Sequence, residues 1–504
     1  MDSSYDMPFI DHNEYETKRG FNYKFVALVL GLLSLFQAIF LLICLGVSLH
    51  YHDEGFKALL TTIGLNFLVG LPLVLYGKGQ NSYDTGRREG MVTVTLSWVL
   101  ISLLGMMPYL LGGFIPNVSE AFFESMSGFS TTGASILTDI EALPRSILLW
   151  RSITQWIGGI GIIVFIVALV PFAGESASVV YDHETTGITH DRFVPRIGVM
   201  AKWIMLIYII LSILCVLLLW AGPFTLYEAV CHAATCISTG GFSIYNLSIA
   251  EVNSDYINIV LTIFMLIGST SFTLIYFATV RKEPKKLFRD SEFRWFISII
   301  VVISIASALW LYFGEYYNSF PKALEHASFQ VVSLISTTGY VIQDYNFWGA
   351  PFWVIALFLM FVAGCSGSTS GGLKTIRFSI LTRNLLNEFT RRTHPQAIVP
   401  LRYNGTVVKD KVITQVYNFF YAYLTLSIIA TFSISLEGYS FTDGVSASIA
   451  CISNSGPGLS AFGPISNYAS LGDFNTFLLS FLMLVGRLEI FTVITLLHRS
   501  FWRN

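Results

Sequence analysis

Apolar runs of about twenty residues recur from Phe25 almost to the end of the chain, each long enough to cross roughly 30 Å of hydrocarbon. Stretches such as Phe25 to Leu49 and Trp203 to Trp220 carry no polar face, which a large soluble helical core would need. The pattern predicts ten crossings, centred near Leu35, Gly70, Ile101, Gly161, Ile210, Phe264, Ile303, Ala363, Leu424 and Met483. Shorter apolar stretches, too short to span, lie between some of them. The polar, acidic stretch Met1 to Glu16 lacks a signal-peptide pattern, so the first span is expected to stay as an anchor.

Composition agrees: of 504 residues, 54% are apolar and 12% charged, and mean hydropathy is +0.63. A soluble domain carries about 25% charged residues. A net charge of −2 gives no basic field for nucleic acid. The six cysteines (Cys44, Cys215, Cys231, Cys236, Cys365 and Cys451) lie in or beside apolar segments without metal-ligand spacing, and read as buried thiols. With a cytoplasmic N-terminus, the segments on that side hold 25 of the 30 Lys and Arg. That asymmetry supports the orientation and the span count together. The opposite segments carry acids instead, among them Glu120, Glu124, Glu228, Glu325 and Asp443. Either they form a mouth that attracts cations, or positive charge was simply kept out of translocated loops.

Four times, on the outer side between two full spans, a short helical stretch runs into a Ser/Thr/Asn-rich turn at a glycine. These are Ser119 to Ser135, Leu226 to Ser243, Ala323 to Val341 and Asp443 to Gly458. Aligned on Gly133, Gly240, Gly339 and Gly456, the intervals are 107, 99 and 117 residues, which marks one unit used repeatedly. A helix of about twelve residues cannot cross the bilayer and must re-enter. Irregular backbone at that depth must line a polar cavity or be buried in protein. Glycine lets successive carbonyls aim at one axis, and rings of carbonyl oxygen can replace a cation's hydration shell. Each helix starts near an acid, which suits its positive end, so the negative end faces the ion.

At these residues the chain resembles the Trk/Ktr/HKT superfamily of potassium transporters, of the TrkH/TrkG type, over essentially its full length. The resemblance implies an all-α polytopic membrane protein with four M1–pore helix–M2 repeats around one pseudo-fourfold pore, plus two extra N-terminal transmembrane helices. The expected division is 1–90 for the N-terminus and extra helices, then pore repeats at 91–196, 197–290, 291–408 and 409–504. It implies a K⁺ selectivity filter at Thr131, Thr132, Gly133, Ser238, Thr239, Gly240, Thr337, Thr338, Gly339, Asn454, Ser455 and Gly456. Some relatives have Ser at the first glycine and favour Na⁺; Gly133 here implies K⁺.

The eighth span is interrupted by GCSGSTSGGLKT, Gly364 to Thr375. The spacing fails as a phosphate loop because Leu373 intervenes. It reads either as a flexible hinge or, as in the resembled proteins, as a gate beneath the filter built from Gly364, Gly367, Ser368, Gly371, Gly372 and Lys374. Broken helices at midplane tend to mark ion paths. Arg487, within the last span, either pairs with Glu489 or a neighbouring helix or, as the resemblance implies, faces the pore below the filter. Gly158, Gly159 and Gly161 follow no strand and suit close helix packing. His183 and His190 fit no metal site.

The basic segment Arg377 to Lys411 includes an Asn404-Gly405 hairpin signal. It fixes topology, touches anionic lipid or, by the resemblance, docks a separate cytosolic TrkA-type RCK subunit that binds NAD or ATP. K⁺ is the bound ion expected; no cofactor is expected in this chain, the nucleotide belonging to the partner. The resemblance further implies a homodimer in the bacterial inner membrane with both termini cytoplasmic. No nucleophile–base set, HExxH or paired intramembrane aspartate suggests an enzyme. The alternative is a Na⁺-permeable pore or an H⁺- or Na⁺-coupled symporter, for which Glu489 is the obvious midplane carboxylate.

Overall fold

The computed structural model describes residues 21–79, 86–173 and 197–502; the acidic N-terminal stretch, His183 and His190 lie outside them. The described chain is helical, apart from two two-stranded ribbons. Six helices are long and apolar enough to span a membrane: Tyr23–Tyr51, Phe56–Gly77, Arg88–Leu111 (broken briefly at Met106), Lys202–Trp220, Ser291–Phe313 and Asp410–Leu436. Two bent pairs bring the number to eight. The 29-residue helix Arg145–Ala173 and the interrupted segment beginning at Ala350–Phe361 occupy the remaining two predicted positions.

Polarity is inverted relative to a soluble fold. Val302 and Ile428, in mid-helix, are 65% and 67% exposed, while Glu124, Arg151, Gln155 and many hydroxyls are buried. Lipid contacts the outer apolar side chains, so the interior is free to hold hydrogen-bonded polar groups. Glycines allow helices to touch. A Cβ on Gly31 would meet Gly70 O at 2.8 Å, joining the first two helices, and one on Gly158 would collide with Phe129 O. The Gly158–Gly161 run therefore serves close packing.

Three of the predicted spans are broken. Asp255–Gly268 turns by 99° into Phe272–Thr279, and Asp473–Arg487 turns by 118° into Ile490–Leu497. The predicted sixth and tenth spans are thus two-part, and Arg487 sits at a helix end rather than within one. The third break, after Phe361, is the one legible in the sequence. The hairpin at Asn404-Gly405 is present, with Arg402 paired to Val407 and Tyr403 to Thr406.

Candidate functional site

Four short helices, Val118–Phe129, Leu226–Ile237, Phe320–Ile335 and Phe441–Ile452, converge by their C-termini. Asn117 caps the first by accepting from Ser119 N. Capping boxes pair Thr225 with Glu228 and Ser440 with Asp443, satisfying amides that the helix leaves open. The third starts a turn earlier than the sequence suggested, at Phe320, so Glu325 is not in its first turn.

Every one of these helices ends alike. Thr131, Thr239, Thr337 and Asn454 adopt left-handed backbone, with φ of 55°, 54°, 59° and 54°. The next residue then donates to the carbonyl five back: Thr132 to Ser127, Gly240 to Thr235, Thr338 to Ser333 and Ser455 to Ala450. This is a Schellman ending with threonine at three of the four left-handed positions. A β-branched residue there is strained by about 1–3 kcal/mol, so the surroundings must impose it.

Two residues beyond each strained position lies a glycine with φ of 84°, 75°, 80° or 87°: Gly133, Gly241, Gly339 and Gly456. The second repeat is therefore registered on Gly241, one residue later than the alignment on Gly240. Gly240 has the role of Thr132, Thr338 and Ser455, and side-chain sequence cannot separate two adjacent glycines. A Cβ on Gly133 would collide with Gly240 O, and one on Gly241 with Thr338 O. One on Gly339 would lie 2.5 Å from Ser455 O, and one on Gly456 2.6 Å from Thr132 O. Each glycine thus faces a carbonyl of the next repeat, in the order one, two, three, four, one.

Helix Arg145–Ala173 buttresses this ring with residues that the motif search missed. Gln155 donates to Gly240 O at 2.7 Å and accepts from Phe242 N at 3.0 Å. Arg151 donates to Glu124 at 2.8 Å and to Ser243 O at 3.1 Å, with its guanidinium 4.1 Å from the Phe242 ring centre. Glu124 also accepts from Ile136 N and the Ser135 hydroxyl. Glu124 and Arg151 are both fully buried, so Glu124 is a brace and not an acid of an open mouth. Opposite charges in one repeat, on a short helix and the following span, were the available signal.

Beneath the ring, Gly364–Gly372 forms a hoop. Its stems pair as a parallel ribbon, Val362 with Leu373 and Ala363 with Lys374, and Thr375 N donates to Gly364 O at 3.1 Å. Gly367 and Gly372 take φ of 73° and 63°. Gly367 O accepts from Phe272 N at 2.9 Å. Ser368 folds back on Cys365 O, and Lys374 Nζ reaches Ser370 O.

The hoop's tip touches three repeats. Thr369 Oγ1 lies 3.1 Å from Thr239 Oγ1, Gly371 N donates to Thr337 Oγ1 at 3.0 Å, and a Cβ on Gly371 would collide with Ser453 O. Arg487 donates to Thr369 O at 2.6 Å and to Gly158 O at 2.8 Å, linking the tip to the first repeat. Glu489, at φ 62°, pairs instead with Arg377 at 2.6 Å. All six cysteines are free and buried.

A multi-pass helical chain whose breaks converge on one axis is the architecture of an ion-transport protein. The chain belongs to the TrkH family of cation transport proteins, whose family model matches residues 60–502. It is 33% identical over 461 residues to the Trk system potassium uptake protein TrkH of Salmonella typhimurium, covering 91% of this chain and 95% of that one. It is 31% identical over 461 residues to the Trk system potassium uptake protein TrkG of Escherichia coli, covering 91% and 94%. The crystal structure of the potassium transporter TrkH from Vibrio parahaemolyticus superposes with a TM-score of 0.86 at 32% identity, covering 95% of this chain and all of that one. The chain is accordingly a membrane transporter and not an enzyme.

Proposed function

We propose that this protein takes up K⁺ through the glycine–carbonyl ring, with the hoop as the gate. The cyclic approach of each glycine to the next repeat's carbonyl carries this reading. Four carbonyls held at fixed spacing can replace a hydration shell, and four helix C-termini add negative potential at that point. Binding of K⁺ falls to residues 131–133, 238–241, 337–339 and 454–456. The relatives' names as potassium uptake proteins support K⁺ as the ion. Arg487 and the hoop tip, bonded beneath the ring, form the barrier to a cation leaving it.

The protein works in the bacterial inner membrane, termini cytoplasmic, as a homodimer regulated by a cytosolic RCK-type nucleotide-binding subunit docking on the basic segment Arg377 to Lys411. The family resemblance supports these points. Among coupled alternatives, a symporter through Glu489 has less support, because that carboxylate is engaged by Arg377. The test is ⁸⁶Rb⁺ and ²²Na⁺ flux into vesicles holding the purified chain. Gly339→Ser is expected to lower K⁺ over Na⁺ discrimination, because a side chain at φ 80° would displace the carbonyl ring. Unchanged permeability ratios in a folded variant reject the filter assignment, and flux that requires a pH gradient favours symport.

A further inference from the structure

The hoop is anchored at a point apart from Arg487. Glu292 lies in the first turn of the span Ser291–Phe313 and is buried. Its Oε1 accepts from Ser366 N at 2.6 Å, on the rising stem, and from Ile376 N at 3.1 Å, just past the falling stem. One carboxylate oxygen thus holds both sides of the neck. Both amides depend on this one oxygen, and a buried amide that loses its acceptor is costly.

The residues just before Glu292 are held from another direction. Asn404 Oδ1 accepts from Ser291 N at 2.8 Å, and its Nδ2 donates to Asp290 Oδ2 at 2.7 Å. Asp290 in turn caps the helix through Phe293 N at 3.0 Å. Asn404 and Gly405, with φ of 47° and 80°, form the turn of the exposed 402–407 hairpin. A left-handed pair of this kind makes a two-residue hairpin turn, and its first residue is tied by two hydrogen bonds to the helix end that carries Glu292.

We propose that Glu292 is a positioning residue that latches the neck of the hoop, and that the Asn404 hairpin sets its place. This rests on the reading of the hoop as gate. Force applied at the hairpin reaches the neck through two hydrogen bonds and one helical turn, without touching the ring. The physical warrant is one element, the helix end, on which both sites pull.

The test is Rb⁺ flux into vesicles from wild-type chain and four variants: Glu292→Ala, Glu292→Gln, Asn404→Ala and a chain lacking Gly367 to Gly372. Glu292→Ala is expected to raise basal flux about tenfold, because it leaves both buried amides, Ser366 N and Ile376 N, without their acceptor in the closed state. Glu292→Gln keeps an oxygen acceptor and is expected to stay within about twofold of wild type. Asn404→Ala, on an exposed turn, is expected to raise flux in the same direction by less. Added to the shortened hoop, Glu292→Ala should change nothing further, because the latch then has no load.

If the shortened hoop conducts more while Glu292→Ala and Asn404→Ala stay at the wild-type level, the latch is wrong and the gate stands. If the shortened hoop itself conducts no more than wild type, the gate reading has failed. Should Glu292→Ala not fold, hydrogen exchange at Ser366 and Ile376 in Asn404→Ala decides: faster exchange there supports the latch, and unchanged exchange overturns it.

Discussion

The ring and the hoop differ in how the four repeats contribute. In the ring each repeat supplies the same parts: a helix end, a left-handed Thr or Asn, a carbonyl and a glycine. In the hoop one repeat supplies the obstruction, and the others supply its contacts: Thr239, Ser453, and Gly158 through Arg487. A cation on an axis is coordinated best by equivalent oxygens, so the ring keeps near-symmetry. A plug needs one chain to cross that axis, so the half below abandons it. Even the ring is not uniform, since only the second repeat has two adjacent glycines, with Gln155 bonded to the carbonyl of the first.

The largest expected effect is on the ring's frame. Arg151→Met leaves Glu124 buried without its counter-charge and is expected to cost about 3–5 kcal/mol, read as a lowered unfolding temperature in detergent. If the temperature is unchanged, the pair is dispensable and the ring is held by backbone alone. Removing Gly367 to Gly372 is expected to raise basal Rb⁺ flux by roughly tenfold or more, equivalent to about 1.4 kcal/mol of closed-state contact, with the K⁺/Na⁺ ratio intact. A changed ratio would show that the two halves are not separable.

Within the second repeat, Gly241→Ser is expected to lower K⁺/Na⁺ discrimination about tenfold, since a left-handed non-glycine position costs on the order of 1–3 kcal/mol. Gly240→Ala, whose Cβ would first meet the Gln155 side chain rather than backbone, is expected to cost less. Equal losses would remove the case for Gly241 as the ring glycine. Arg487→Gln keeps a donor toward Thr369 O but removes the charge, and is expected to raise flux roughly threefold at unchanged selectivity, as for a lowered electrostatic barrier. Combined with the shortened hoop, a further rise means two barriers, and none means one.

The smallest effect concerns the connection between the loops after the first and second ring segments. The Asn246 side chain donates to Asp139 at 3.0 Å. That bond, with help from Ala142 and Glu141 amides, holds the exposed Asp139 carboxyl below its usual range. Because the folded value is depressed, any stability it lends is present above the ordinary carboxylate range and is lost as pH falls through the lower folded value. Stability is therefore expected to be flat between about pH 5 and 8 as far as this group is concerned, that window lying above the ordinary Asp value of about 3.9. Titrating Asn246→Ala by NMR should move the Asp139 midpoint up; no movement would assign the shift to the backbone amides.

Hydropathy, charge asymmetry and the spacing of four glycine turns were enough to determine that the chain is a multi-pass helical membrane protein with four like glycine turns and a span interrupted after Phe361. Each of these is a local or periodic property, set by the cost of exposing backbone or charge to hydrocarbon. Three things only the tertiary structure decided. Gly241, not Gly240, faces the third repeat, because φ at two adjacent glycines depends on where the neighbouring carbonyl lies. The sixth and tenth spans break where Ser269 O accepts from Cys365 N and Glu489 pairs with Arg377, partners about a hundred residues away in the chain. Glu124, read as an acid facing water, is buried against Arg151, because burying a charge is tolerable only beside a partner whose position no sequence spacing reveals.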